Sequence, residues 1–432
     1  MHSNKPAISL RRFGARLAAT LPALVVAVTC AGAQAAEPWI TTPWITTWAA
    51  TPGPRWADEL PVPFGVPEVL SNRTVRQSAR ISVGGEKLRI VISNEFGVRP
   101  ITIGAATVAL PAGGSAVDPA TIKPVTFSGR IDAVIPPGAP LISDPVDFPV
   151  KPLSSVVVSF YLPNPTKLAS VHWEAMQTGY ISGSGDMTKA AEFKPESTTK
   201  SRLLLSRILT TAKPASSAIV VLGDSISDGT CSTPDSNHRW TDELASRLQA
   251  ENHPDIAVVN EAFYGNRVLA DGFGNSGLAR FNTSVLSHAR VSTVVLMLGG
   301  NDIGLPGATI PNDPEPTADD VIAGLKQIIE RAHAGGIRVV LSTLTPAANA
   351  FAGTRSSKYY TPEKAKIAEA VNAWVRTGNA ADGVIDFGKL LEDPAKPGHL
   401  APAYDCGDHV HPNDAGYQAM AKAVDLKLLL GQ

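Results

Sequence analysis

Ser225, His411 and Asp408 are residue types that together can carry out acyl transfer, and Gly265 and Asn301 can supply donors to the oxyanion it generates. A serine hydroxyl is a weak nucleophile. It needs a base to take its proton, a group to orient that base, and hydrogen-bond donors for the charge on the tetrahedral intermediate. His411 can be the base, and Asp408, three residues earlier in the same loop, can hold its second ring nitrogen. His409 also lies beside Asp408, so spacing offers two imidazoles. The expected oxyanion donors are the backbone N–H groups of Ser225 and Gly265 and the side-chain amide of Asn301. Taken singly, each piece also fits an ordinary loop, because Gly, Asp, Asn and Ser are common turn formers. Their placement has to decide.

That placement is set by the apolar run 218–222, A-I-V-V-L, which reads as a buried strand ending at Gly223-Asp224-Ser225. Further strands are expected at 256–260, 293–298, 337–343 and 384–387. Helices are expected near 240–250, 278–288, 318–334, 362–377 and 414–430, with Gly335-Gly336 closing the third. Alternating strands and helices imply a doubly wound α/β domain with a parallel sheet over 215–432. Ligands of such sheets bind beyond the carboxyl ends of the strands. The loops 223–229, 264–267, 299–302 and 408–413 can therefore meet on one rim.

Upstream the pattern is β. Val75, Gln77, Ala79, Ile81 and Val83 alternate onto one face, and Gly84-Gly85 before Leu88, Ile90 and Ile92 predicts a hairpin. Strands are also expected at 101–110 and 154–162, giving a β-sandwich-like domain over 45–205. No catalytic cluster is evident there. His172-Trp173-Glu174 offers either a sugar contact or a structural aromatic.

The chain has 432 residues, 44% of them hydrophobic, and a formal net charge of -1. That balance supports substantial cores and argues against nucleic acid or an anionic membrane as the main partner. Lys5, Arg11, Arg12 and Arg16 precede an uncharged stretch and a small-residue end at Ala33-Gln34-Ala35, the order of a secretory signal peptide over 1–35. An uncleaved anchor is the alternative. Residues 38–47 hold a short tandem repeat, P-W-I-T-T twice. After removal of the leader two cysteines remain, Cys231 and Cys406. An even pair in an exported chain invites a disulfide, the alternative being two unrelated thiols. The sequence has no G-x-S-x-G elbow, no H-E-x-x-H and no paired-cysteine zinc spacing. It also lacks a nucleotide-binding glycine loop in the right context. No metal or organic cofactor is expected.

Gly223-Asp224-Ser225, Gly265, Asn301 and the Asp408/His411 pair resemble, in order, the four conserved blocks of the SGNH hydrolases, or GDSL esterase/lipase superfamily. Ile226 stands where the family name has Leu. The resemblance covers roughly 216–432 and implies an SGNH, flavodoxin-like fold. It also selects His411 over His409 by its spacing from Asp408 and the following Pro412. The stretches T-V-R-Q-S-A-R-I-S-V-G-G and S-N-E-F-G-V-R-P-I-T-I-G-A-A resemble the N-terminal part of secreted two-domain relatives of arylesterases and acetylxylan esterases. The resemblance implies a secreted or periplasmic serine esterase without stable membrane insertion. It would act on small-molecule or carbohydrate esters, short acyl or O-acetyl. The alternatives are a lipase or acyltransferase using the same site, or a polysaccharide-binding protein whose hydrolase domain is inactive.

Overall fold

In the parallel sheet, alternate residues of one strand feed two cores. The computed structural model describes residues 43–56, 66–377 and 379–432. The expected leader, 1–35, and the first copy of the repeat lie outside the described residues. The sheet is built from β1 (Ser217–Gly223), β2 (Ile256–Asn260), β3 (Val291–Met297), β4 (Arg338–Ser342) and β5 (Gly383–Ile385). Its order is β2-β1-β3-β4-β5 and every pairing is parallel. Along β1, Ala218, Val220 and Leu222 join a core with Leu325 and Ile328, while Ile219 and Val221 join another with Trp240, Leu244 and Tyr417. A strand buried on both faces has to read as a continuous apolar run, which is why β1 is legible.

The helices α1 (Trp240–Ala250), α2 (Ala318–Ala334) and α3 (Pro362–Thr377) span the expected ranges, and α4 (Asp414–Ala423) begins where expected. The N-terminus of α2 is fixed by a capping box between Thr317 and Asp320. Two expected helices are shorter than their apolar patterns. The helix from Gly277 passes at Asn282 into a π-type turn ending at Leu286. The last helix breaks at Val424, where Asp425 accepts from the N–H groups of Lys427 and Leu428 and caps a new turn.

The strand-rich part is built around two large antiparallel sheets over one apolar core, with four smaller two- and three-stranded sheets at their margins. Trp44–Ala49, Leu205–Thr211, Gly85–Ser93 and Pro140–Ile142 form one, with Val146–Val150 also pairing onto Gly85–Ser93. The other runs through Lys123–Val125, Ala105–Ala109, Ser155–Leu162, Arg73–Arg80, Gly179–Ser184 and Pro195–Thr199. Val75, Ile81, Ile90, Val158, Phe160 and Ile208 fill the space between. The hairpin expected at Gly84-Gly85 does not form: Arg73–Arg80 and Gly85–Ser93 belong to different sheets, and the glycine pair carries the chain from one to the other. A Cβ on Gly84 would lie 2.3 Å from Val150 O, so close backbone approach demands glycine there. The strand expected over 101–110 is likewise split at Gly104 into Ile101–Ile103 and Ala105–Ala109.

The described chain from residue 43 on is one compact unit. Ile45, Ala49 and Val83 of the strand-rich part share an apolar cluster with β1 and α2. Among the described residues no helix is long and apolar enough to cross a membrane.

Candidate active site

β1 ends at Gly223, whose added Cβ would lie 2.5 Å from Ser227 Cβ; the chain folds back so tightly that no side chain fits. Asp224 caps the turn Ser225–Asp228 by accepting from Ile226 N. Ser225 thus leaves the strand where the connections that follow the paired strands β1 and β3 pass to opposite faces of the sheet, the crevice in which doubly wound folds hold ligands.

The C-terminal loop brings the other two residues to it. His411 Nε2 lies 2.8 Å from Ser225 Oγ, and His411 Nδ1 lies 2.5 Å from Asp408 Oδ2. A carboxylate only accepts, so it holds the proton on Nδ1 and leaves Nε2 free to accept from the serine hydroxyl. Asp408 is itself held, its Oδ1 accepting from Val410 N and His411 N. Burial pushes the Asp408 carboxyl up, but the His411 hydrogen bond, its charge and the two backbone donors bring it down to about 2. Burial pulls the His411 imidazole down. The Asp408 hydrogen bond and charge, with Glu174 and Asp224 behind them, outweigh burial and hold it above its ordinary value. His409 turns away and pairs with Asp405 at 2.6 Å.

Gly265 and Asn301 line the same small cavity as Ser225 and His411. Gly265 has φ 69°, a left-handed conformation, and a Cβ there would strike the Phe273 ring. Asn301 is fixed at both ends of its amide. Its Nδ2 donates to Asn266 O at 3.1 Å, and its Oδ1 accepts from Tyr359 Oη at 3.0 Å. Asp302 ties the second loop to the third by accepting from Val268 N and Leu269 N. Ser225, Gly265, Asn301 and His411 therefore line one cavity, with Asp408 behind the imidazole.

The pair Cys231 and Cys406 forms a disulfide with Cα atoms 6.2 Å apart. It links the loop after Ser225 to the loop before Asp408, and Thr233 adds hydrogen bonds to Asp414 beside it. Cys231, Asp408 and His411 are grouped closely enough to suggest metal ligands. The sulfur is taken up in the disulfide and the imidazole Nδ1 by Asp408, so the donors are engaged.

Three participants carry no motif. Tyr359 orients Asn301. Arg280 is buried and donates to Gly223 O and Asn266 Oδ1, bracing the first two loops. Glu174 comes from the strand-rich part, where no cluster was expected, and accepts from Thr230 Oγ1 at 2.7 Å. Its neighbours His172 and Trp173 are structural: His172 Nε2 sits 3.0 Å from Asp228 Oδ1, and Trp173 stacks on Trp56 at 4.5 Å.

Ser225, bonded to the aspartate-held imidazole of His411, thus lies at the switch point of a sheet of order β2-β1-β3-β4-β5. Residues 221–419 match the GDSL-like Lipase/Acylhydrolase family. Among solved structures, a GDSL-like lipase from Bacteroides thetaiotaomicron is 19% identical, with TM-score 0.37, 50% of this chain and 89% of that one covered. An acetyl xylan esterase is 18% identical, with TM-score 0.36, covering 48% and 96%. An alpha/beta hydrolase from the metagenome of Lake Arreo is 20% identical, with TM-score 0.37, covering 51% and 96%. No curated protein matches the chain.

Proposed function

We propose that the protein is a serine ester hydrolase with Ser225 as nucleophile, His411 as general base and acid, and Asp408 as the residue that orients and charges the imidazole. The unbroken chain from Asp408 Oδ2 through His411 to Ser225 Oγ carries this reading. Ser225 Oγ attacks the ester carbonyl carbon and passes its proton to His411 Nε2. The oxyanion accepts from Ser225 N–H, Gly265 N–H and Asn301 Nδ2. The intermediate collapses, His411 gives its proton to the departing alcohol oxygen, and an acyl-Ser225 remains. Water enters on the same side, loses a proton to His411 and adds to the acyl carbon; collapse of this second intermediate breaks the bond to Ser225 Oγ, which takes the proton back from His411 as the carboxylic acid departs. The disulfide and the leader-like start of the sequence support export from the cytosol, to the periplasm or beyond.

Hydrolysis of p-nitrophenyl esters tests the assignment. Ser225→Ala and His411→Ala are each expected to lower kcat by at least ~10⁴-fold. Turnover near that of the unaltered protein in either variant would refute it.

A further inference from the structure

Two cavities meet at Ser225, and they differ in size and in their relation to the imidazole. The larger, about 440 Å³, and the smaller, about 160 Å³, share Ser225, Asn301, Tyr359 and Val410. His411 lines only the smaller one.

The chemistry assigns a partner to each. The proton that His411 Nε2 takes from Ser225 must be delivered to the alcohol oxygen, so the alcohol leaves from the imidazole side. The oxyanion is directed to Gly265 and Asn301. Of the substituents on the tetrahedral carbon, only the acyl chain remains, and the cavity away from His411 is left for it. We infer that the 440 Å³ cavity is an acyl-chain site and that the protein favours esters of uncharged acyl groups several carbons longer than acetyl. This inference rests on the proposed serine-ester reading and names its substrate class.

The walls fit that assignment. Ile226, Leu298, Ile303, Leu344, Pro346 and Ala368 present apolar surface to the cavity. The lysine, arginine and asparagine groups of the same wall, and Asp224, are engaged elsewhere. Lys364 Nζ donates to the carbonyls of Gly304, Pro306 and Lys358. Asn372 bonds both N and O of Leu344, and Arg376 pairs with Asp386. Asp224 accepts from Ile226 N at the turn after β1. No cation is left to bind a charged acyl terminus, and Glu369 and Glu392 in the wall would repel one. The volume lies within the range of small-molecule sites, roughly 300–1,000 Å³, whereas an acetyl methyl would leave most of it unfilled. Each methylene moved from water into such a cavity adds roughly three- to fourfold to kcat/KM.

Two substrate series on the full chain test this: p-nitrophenyl esters from acetate to octanoate, and hexanoate esters of alcohols of increasing size. In the first, kcat/KM is expected to rise by at least ~10-fold from acetate to hexanoate. Ala368→Phe narrows the cavity and is expected to lower the hexanoate-to-acetate ratio by at least ~10-fold while keeping the alcohol ranking. Ala365→Leu, one turn earlier on α3, reads the same ratio if the phenylalanine is not tolerated. An acetate optimum, or an Ala368→Phe effect on the alcohol ranking in place of the acyl ratio, overturns the inference. Ser225→Ala separates the two levels. If it is inert while acetate is preferred, only the acyl site fails; if it stays active, the serine reading fails as well.

Discussion

Glu174 shows how a residue from outside the hydrolase part enters the electrostatics of the site. It sits at φ 53°, a strained conformation for a non-glycine residue, at the end of the segment that also provides His172. Burial pushes its carboxyl up to about 7, against the Thr230 hydrogen bond and the His411 charge that pull it down; Asp228 and Asp408 press in the same direction as burial. Ionised Glu174 is among the groups that keep the His411 imidazole above its ordinary value, after Asp408. The proposed base works in its neutral form, so kcat/KM is expected to rise as pH climbs through the raised imidazole value. Glu174→Gln keeps the acceptor for Thr230 but removes the charge, so the imidazole value falls and the acid limb of kcat/KM moves to lower pH. A pH–rate profile superimposable on the parent would show that this charge does not reach the base. Residues of this kind were not legible in the sequence. Ser225, Asn301, Asp408 and His411 sit next to strand ends or in a local D-x-x-H pattern, whereas Glu174 and Tyr359 reach the site only through tertiary packing.

The elements divide in the same way. The α/β elements were readable because burial on both faces forces apolar runs into the strands, and helices such as α2 carry their own caps. The strand-rich sheets were readable as strands but not as partners, since alternation gives a face and says nothing about which sheet receives it. Gly84-Gly85 looked like a hairpin turn and is a crossing between sheets. Between elements the strongest single tie is Cys231–Cys406, spanning 175 residues. In the chain-entropy model closure of so long a loop is worth about 5 kcal/mol, an upper figure for real bridges. Cys406→Ser is therefore expected to lower the melting temperature by several degrees in scanning calorimetry. An unchanged melting temperature would mean that the bridge adds nothing to stability.

At the scale of the molecule, the strand-rich part is built into the hydrolase part. Thr46 Oγ1 lies 2.9 Å from the buried His288, His288 bonds Glu261 at 2.8 Å, and Thr51 also donates to Glu261. His172 meets Asp228, and Trp56 donates to Phe273 O. Removing one side of such buried contacts strands the other without a partner, at a cost of about 1–3 kcal/mol each and more where a carboxylate is left bare. A fragment spanning 215–432 is therefore expected to be insoluble or to melt without a cooperative transition, while 43–432 melts cooperatively. A well-folded, fully active short fragment would contradict this. The order of residues along the chain has one more consequence. The proposed nucleophile is translated nearly two hundred residues before the loop that holds its proposed base, so the pair can meet only after both segments have been made. On the proposed reading, a chain cut between residues 225 and 408 loses both the base and the carboxylate that orients it, and is silent however well the remainder folds.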